Sequence, residues 1–284
     1  MALKNNKIWK KTGKLYVVAL PIGNLKDITF RALEVLKSVE YIVCEDTRSF
    51  KKLINHYQLG EKKLISFYKD VEKKKTEKLI EILEKGEDVA LVSEAGTPGI
   101  SDPGANLIKL AYERKIKVIP IPGVSALTCA LSVSGINLNK GFIFLGFLPR
   151  KKAEQKEILE NLPKDLPFII FEAPHRISKT LKNLLEILGN RNCFLARELT
   201  KMHEELLWTT LKDLSQREEF LGEITLIIMP EDKEFAEKVD LQKIKNEVEE
   251  LKAKGLKVKE IAKSLAKKYN LSAKFLYDFI RKIK

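Results

Sequence analysis

The stretch with the most chemical promise is Leu91–Gly104, LVSEAGTPGISDPG. The apolar run Val89–Val92 breaks there into small residues, and Ser101-Asp102-Pro103 then has the composition of a helix start. An apolar strand, a small-residue loop and a capped helix make the usual ligand-binding edge of an open α/β sheet. Asp102 or Ser101 is expected to cap that helix, with Pro103 at its first position. Gly96, Gly99 and Gly104 let a backbone pass close to a ligand, and Gly123, with Ser125 and Ala126 behind it, does the same after another strand. Such loops present N–H and C=O groups, which suit the adenine, ribose and amino-acid parts of a cofactor better than an exposed phosphate. One glycine alone would serve a tight turn, whereas two such loops after neighbouring strands point to a site.

Other chemistries are disfavoured by what the chain lacks. It has no GxxxxGK[ST] loop, no GxGxxG after a strand, no HExxH and no GxSxG. A nucleotide triphosphatase, a dinucleotide enzyme, a zinc protease and an α/β-hydrolase are therefore not expected. Cys44, Cys129 and Cys193 are far apart and odd in number, which suggests neither a zinc site nor a disulfide framework and fits a reducing cytosol. No metal is expected. The start, MALKNNKIWKKTGK, has no apolar signal core, and no run is long enough to span a bilayer, so a cytoplasmic protein with no membrane partner is expected.

The elements that must position these loops follow from periodicity. Leu15–Leu20 (LYVVAL), Tyr41–Cys44, Leu64–Phe67, Val89–Val92 and Lys117–Pro120 read as short buried strands. Between them Phe30–Val39, Ser49–His56 and Thr76–Lys85 read as helices, and Ala126–Val133 follows the last strand. Alternation of this kind gives a mostly parallel sheet whose post-strand loops share one edge. Four loops then meet: Pro21–Asp27, Glu45–Arg48, Ser93–Asp102 and Pro122–Ala126. A second set begins at Phe142–Phe147 and continues with strands at Phe168–Phe171, Cys193–Ala196 and Ile224–Met229 and a helix at Leu181–Leu188. At 284 residues, two or three domains are expected.

Charge singles out the end of the chain. The net charge is +13, from 52 Lys+Arg against 39 Asp+Glu. From Leu251 to Lys284 there are 11 Lys+Arg and 2 Asp+Glu, a local +9. This tail reads as three helices, about Gln242–Lys254, Val258–Tyr269 and Ser272–Ile283, the last two joined like a helix-turn-helix at Asn270-Leu271. A basic helical module is the footprint of phosphate contacts with nucleic acid; a lysine-rich solvated helix face is the bland alternative.

Seven segments in order, LYVVALPIGNLKDIT, CEDTR, LVSEAGTPGISDPG, IPGVSA, FEAPHRI, ARELTKMHEE and GEITLII, resemble the ribosomal RNA methyltransferases of the tetrapyrrole methylase superfamily. The resemblance spans about Leu15 to Pro230, and the basic tail also fits. It implies an α/β, two-domain tetrapyrrole-methylase-like fold with a small C-terminal all-helical module: residues 1–136, 137–231 closing the cleft, and 232–284. It implies S-adenosylmethionine in that cleft, methyl transfer to the ribose 2′-hydroxyl of a cytidine in the decoding centre of 16S ribosomal RNA in the 30S subunit, and a homodimer. Positions that match the family's cofactor contacts are Leu20, Pro21 and Gly23, then Gly96, Thr97, Pro98 and Ile100, then Ser125 and Ala126. Phe171, beside Glu172-Ala173-Pro174, and Thr225 are candidates for the closing wall. Glu94 stands where the family has aspartate, which moves the carboxylate by a methylene. Trp208-Thr209-Thr210-Leu211 stands where it has R-G-T-L, so a tight turn is not expected there.

A ribose hydroxyl is a weak acid, so a general base near it would help. Glu172 and His175, in EAPHR, are the candidates, with Glu198 and Glu204 behind them; pairing with Arg176, Arg197 or Lys201 is the structural alternative for each. Asp46 and Arg48 are placed near the acceptor nucleotide, and Arg150, Lys151 and Lys152 on RNA phosphate. A methylase of a tetrapyrrole precursor is disfavoured by the basic tail and by PIGNLKDIT in place of a GxGPGD-type loop. A non-catalytic nucleic-acid-binding protein would leave the glycine loops without a purpose.

Overall fold

The computed structural model describes residues 12–230, 241–253, 255–256, 258–269, 276–277 and 280. Five strands, β1 (Lys14–Val18), β2 (Tyr41–Cys44), β3 (Lys63–Ser66), β4 (Val89–Val92) and β5 (Lys117–Ile121), form a sheet in the order β3-β2-β4-β1-β5. Every pairing in it is parallel. The connecting helices are α1 (Phe30–Ser38), α2 (Thr47–Tyr57), α3 (Lys69–Glu84) and α4 (Ala105–Glu113), and α5 (Ala126–Ser134) follows β5. From β1 the chain crosses to β2 on one side, and from β4 it crosses to β5 on the other. Crossovers of one hand that travel in opposite directions place their helices on opposite faces. The core has that arrangement: Ala90 and Val92 pack with Ala32, Leu36 and Phe50, while Val89 and Leu91 pack with Leu79, Leu83 and Leu107. A four-residue strand buried on both faces reads as a continuous apolar run for this reason.

The second sheet has the order β6-β7-β10-β8-β9, from β6 (Ile143–Phe147), β7 (Phe168–Glu172), β8 (Asn192–Arg197), β9 (Glu205–Thr210) and β10 (Ile224–Ile228). Strands β6 and β7 are parallel; the other pairs are antiparallel. Helices α6 (Lys152–Glu160), α7 (Pro174–Leu188) and α8 (Leu211–Ser215) belong to this half. One face of the sheet, with Ile169, Phe194 and Ile227, packs on Leu127 and Ala130 of α5. Both sheets lie in one compact unit, which takes the chain up to Asn161 and Pro167–Ile228.

The other unit takes Leu162–Leu166 and the chain from Met229 onward. In it α9 (Leu241–Ala253) and α10 (Val258–Tyr269) bury Ile244, Val248, Ile261 and Leu265 with Leu276 and Ile280. The i, i+4 spacing of these pairs puts each on one helix face. Apart from Leu276, Tyr277 and Ile280, the helix expected over Ser272–Ile283 lies outside the described residues, as does the turn at Asn270-Leu271. Among the described residues no helix is long and apolar enough to cross a membrane.

Several boundaries differ from expectation, and the causes are local. Helix α3 starts at Lys69, seven residues before the expected Thr76, because its first turns are charged and carry no apolar stripe. Helix α7 starts at Pro174, so His175 and Arg176 are helical; Pro174 suits the first turn, where its missing N–H is not needed. Edge strand β9 was not expected, since Leu206, Leu207 and Trp208 are partly exposed and show no clean alternation. Thr209 is extended there, and Thr210 caps α8 by accepting from the Asp213 N–H.

The expected cap of α4 is also overturned. The helix begins at Ala105, and neither Ser101 nor Asp102 caps it. Ser101 has φ of 70°, which turns the chain away and delays the helix. The N–H groups of Gly104 and Asn106 donate instead to Glu72 Oε1 of α3, at 3.1 and 3.3 Å. Gly104 has φ of 134°, and a Cβ there would meet Leu91 Cδ2 at 2.7 Å, so only glycine fits. We expect Glu72→Ala to lower stability by about 1 kcal/mol in urea at pH 7.5, the usual cost of a lost N-cap. Asp102→Asn should not lower the midpoint; an equal loss in both variants would return the cap to Asp102.

Candidate active site

The two central parallel strands, β1 and β4, send their connections in opposite directions, and ligands in open α/β sheets bind at such a switch point. The loops that follow these strands are bonded to each other. The Leu20 N–H donates to Gly96 O at 2.8 Å, and the Gly96 N–H donates to Leu20 O at 2.9 Å. Ser93 Oγ donates to the Ala95 and Gly96 carbonyls, each at 3.1 Å. Thr97 Oγ1 donates to Val124 O at 3.1 Å and ties in the loop after β5.

A cavity of about 430 Å³ opens on this junction. Its first wall holds Ile22, Glu94–Thr97, Ile100–Asp102, Ser125 and Ala126. Its second wall comes from the other sheet: Phe147, Phe171–Pro174, Ala196, Leu199 and Glu223–Thr225. Strands β6, β7 and β8 contribute their carboxyl ends, and the antiparallel β10 contributes its beginning. The walls meet closely where Gly146 stands: a Cβ there would meet Ser101 Oγ at 2.7 Å. A second cavity of about 440 Å³ adjoins the first and shares Ile22, Glu94, Ala95 and Glu223 with it. It is lined further by Leu20, Pro21, Gly23, Cys44, Glu45, Asp46, Lys52 and Lys201.

The residues singled out in the sequence separate into groups. Gly96, Thr97, Ile100, Ser125, Ala126, Phe171 and Thr225 line the first cavity. Leu20, Pro21, Gly23 and Asp46 line the second. Pro98 is buried and lines neither of the two. Arg48, Arg150, Lys151 and Lys152 are exposed and also line neither. Asp46 caps α2, accepting from the Arg48 N–H at 2.7 Å. Lys151 pairs with Glu154 at 3.2 Å and Lys152 with Glu186 at 2.5 Å.

The two general-base candidates are placed very differently. Glu172 lines the cavity but is 1% exposed. Its Oε1 accepts from the Ala173 N–H at 2.9 Å and lies 3.2 Å from Arg176 Nε; its Oε2 accepts from Thr180 Oγ1 at 2.6 Å. Both oxygens of this side chain are thus engaged, by a cation and two donors, in a structural contact. His175 is exposed and lines neither cavity. Glu198 pairs with Lys201 at 2.8 Å; burial pushes its carboxyl up, but the Lys201 and Glu223 donors outweigh it and hold the carboxyl below the ordinary range. Thr200 N–H donates to Glu204 at 2.6 Å. The pairing alternative therefore describes Glu172 and Glu198.

What sequence reasoning missed is the line of carboxylates that lack such partners. The side-chain carboxylates of Glu45, Glu94 and Asp102 make no hydrogen bond or ion pair among the described residues. Burial, with Glu45 and Glu94 nearby, pushes the Asp102 carboxyl up to about 7. Burial and Glu94 push Glu45 upward, and burial with Asp46, Glu45 and Glu94 holds the Cys44 thiol up near 12. The only sequence signal for Asp102 was its place in the loop, and capping explained that equally well. The first cavity thus offers aromatic faces at Phe147 and Phe171, hydroxyls at Thr97, Ser125 and Thr225, and a net negative lining. That set suits a small organic cation with an aromatic base, and its volume is in the range of small-molecule sites. No group of acidic, histidine or cysteine side chains among the described residues is arranged to hold a metal ion.

Comparison with known proteins agrees with the geometry. The sequence pattern of the Tetrapyrrole (Corrin/Porphyrin) Methylases matches residues 14–215. The chain is 40% identical over 274 residues to "Ribosomal RNA small subunit methyltransferase I" of Bacillus subtilis, covering 94% of this chain and 93% of the relative. The protein of the same name in Hydrogenobaculum sp. is 45% identical over 230 residues, covering 79% of this chain and 99% of its own. Among solved structures, a diphthine synthase superposes with a TM-score of 0.60 at 19% identity, over 76% of this chain and 90% of that one. A uroporphyrin-III-C-methyltransferase from Thermus thermophilus superposes with a TM-score of 0.54 at 21% identity, over 76% and 94%. At these identities the two structures speak for the fold.

Glu172→Ala should destabilise the protein by about 3 kcal/mol, because it strands the Arg176 charge. Glu172→Ala/Arg176→Ala should lose less than the sum of the two single variants in urea unfolding. Additive losses would show that the pair is not coupled.

Proposed function

The chain belongs to the tetrapyrrole methylase family, in the group of ribosomal RNA small subunit methyltransferase I, and on that premise we propose that it transfers a methyl group from S-adenosylmethionine to ribosomal RNA. The acceptor in this proposal is the ribose 2′-hydroxyl of a cytidine in the decoding centre of the small subunit. The observation that carries the proposal is the cavity at the switch point, built by the loops after β1, β4 and β5 and closed by the second sheet. Its residues fit the cofactor chemically. Phe147 and Phe171 offer faces for an adenine, the hydroxyls and loop backbone suit ribose and amino-acid groups, and the carboxylates suit a sulfonium and an ammonium. Bound there, S-adenosylmethionine supplies a methyl group activated by the positive charge of its sulfur.

The protein's own contribution is alignment and exclusion of water. Gly96, Thr97, Ile100, Ser125 and Ala126 would hold one side of the cofactor, and Phe171 and Thr225 the other. Holding the acceptor oxygen in line with the methyl group replaces an encounter with a positioned attack, which can supply much of the acceleration. The adjoining cavity, with Asp46, Lys52 and Lys201 at its wall, would receive the body of the acceptor nucleotide, with its ribose hydroxyl reaching into the first cavity beside the methyl group. Residues 1–136 and 137–231 act as the two halves of the cleft, and residues 232–284 as the RNA grip. Arg48 and Arg150–Lys152 remain candidates for phosphate contacts at the rim. The partner is the 30S subunit, with the enzyme acting as a homodimer in the cytoplasm.

Full-length protein incubated with labelled S-adenosylmethionine and 30S subunits lacking ribose methylation should place label on one cytidine ribose. Label in a tetrapyrrole precursor, or RNA binding with no transfer to any substrate, would sink the proposal. Thr97→Ala, which cuts the tie to Val124, should weaken cofactor binding about fivefold by calorimetry, the equivalent of a hydrogen bond worth about 1 kcal/mol. Lys252, Lys259 and Lys263 are exposed. Changing all three to Ala should flatten the slope of log affinity for RNA against log salt by about 2, with cofactor affinity unchanged. An unaltered slope would remove the tail from the RNA-binding surface.

A further inference from the structure

We propose that the Asp102 carboxylate takes the proton of the acceptor hydroxyl during methyl transfer, an inference that rests on the proposed methyltransferase function. Four carboxylates line the first cavity: Glu94, Asp102, Glu172 and Glu223. Glu172 has both oxygens engaged by Arg176, Thr180 and the Ala173 N–H. Glu223 is paired with Lys201 at 3.1 Å. Glu94 is exposed, so water solvates its charge. Asp102 is half-buried and has no hydrogen bond or ion pair among the described residues. No histidine lines the cavity, and Cys44, in the adjoining one, is held as a thiol. Asp102 is therefore the cavity group left free to accept a proton.

Its surroundings tune it for that task. A proton acceptor works best when its own affinity for the proton lies near the working pH. Burial raises the Asp102 carboxyl to about 7, with the carboxylates of Glu45 and Glu94 adding to the rise. The neutral Ser101 beside it abuts Gly146 of β6. The loop that carries Asp102 is the one that carries Gly96, Thr97 and Ile100 of the cavity lining. In the step itself, the hydroxyl oxygen forms a bond to the methyl carbon as the carbon–sulfur bond breaks. The electron pair of that bond stays on sulfur, which leaves as a neutral thioether. The hydroxyl proton passes to an Asp102 oxygen and then to solvent.

The test uses full-length protein and Asp102→Asn in single-turnover transfer to 30S subunits from pH 5.5 to 8.5. The wild-type rate should rise about tenfold per pH unit and level off near 7, because the carboxylate must be ionised to accept. Asp102→Asn should lose at least a hundredfold at pH 8 and all of that rise. Calorimetric cofactor affinity should fall far less than the rate does. A readout without cofactor is thermal stability. A carboxyl raised in the folded state contributes stability that is present at low pH and lost as pH rises through its folded value. Wild type should thus fall in Tm relative to Asp102→Asn between about pH 4 and 7, with a constant gap above. A flat wild-type pH profile, a smaller rate loss, or a loss of cofactor affinity equal to the loss of rate would each overturn the proposal. Should the variant fail to fold, the wild-type profile alone decides. Failure of wild type to methylate RNA at all would instead overturn the methyltransferase function, and the Tm comparison would still report on Asp102.

Discussion

The reciprocal backbone pairing of Leu20 with Gly96 is the constraint from which the rest of the site follows. The two loops leave neighbouring strands at their carboxyl ends and depart in opposite directions, so nothing in the sheet itself joins them. Buried N–H and C=O groups must find partners, and here each loop supplies the other's. Gly96 meets the geometry with a φ of 74°, a conformation that costs little without a Cβ. Ser93 and Thr97 extend the join by side-chain donors to the same loop and to the loop after β5. Three chain segments distant in sequence become one rigid rim. A rim of that kind can hold a ligand by backbone groups without paying an ordering cost at each encounter.

The second sheet supplies the opposite wall through its topology. With β10 running against β7 and β8, the beginning of one strand and the carboxyl ends of two others share an edge. Thr225 lies opposite Phe171 and Ala196 in the register, and all three line the cavity. Behind them, α5 packs Leu127 and Ala130 against Ile169 and Ile227. Because α5 also follows the loop that carries Ser125, a single helix fixes the spacing of the two walls. The mixed sheet is thus more than a second core: it presents its edge to the rim of the first.

The parts legible in the sequence were those where one physical signal dominates. Val89–Val92 reads as a doubly buried strand and Phe30–Val39 as an amphipathic helix, and the structure has them at Val89–Val92 and Phe30–Ser38. The glycine-rich loops pointed to the first cavity because small residues next to a buried strand have few other uses. Signals failed where two causes produce the same letters. Asp102 has the look of an N-cap, and only the left-handed turn at Ser101, with Glu72 arriving from α3, frees it. Glu172 looked like a base because a glutamate ends a strand at the cleft, while the helix start at Pro174 that brings Arg176 and Thr180 onto it lay within EAPHR unread. Pairings between segments distant in sequence, such as Glu72 with Gly104, 32 residues apart, carry no local pattern at all.

Charge divides the molecule in a way that the total of +13 conceals. The surplus of lysine lies mostly past Leu251, whereas the cavity wall is acidic and two of its carboxylates lack counter-ions. A uniformly basic enzyme would draw RNA phosphate into its cofactor site, and a uniformly acidic one would repel the RNA altogether. The lysine surplus belongs to the second unit's stretch of the sequence and the acidic lining to the first unit, and a cluster of cations attracts a polyanion at long range without base contacts. Placing unpaired carboxylates in a half-buried cavity does the opposite work at short range. They repel phosphate and favour a cation, and burial, with Glu45 and Glu94 nearby, pushes the Asp102 carboxyl up to about 7. The same low-dielectric surroundings that make an unpaired carboxylate costly to the fold are what make it responsive to a proton, so the strain in this wall and its usefulness have one origin.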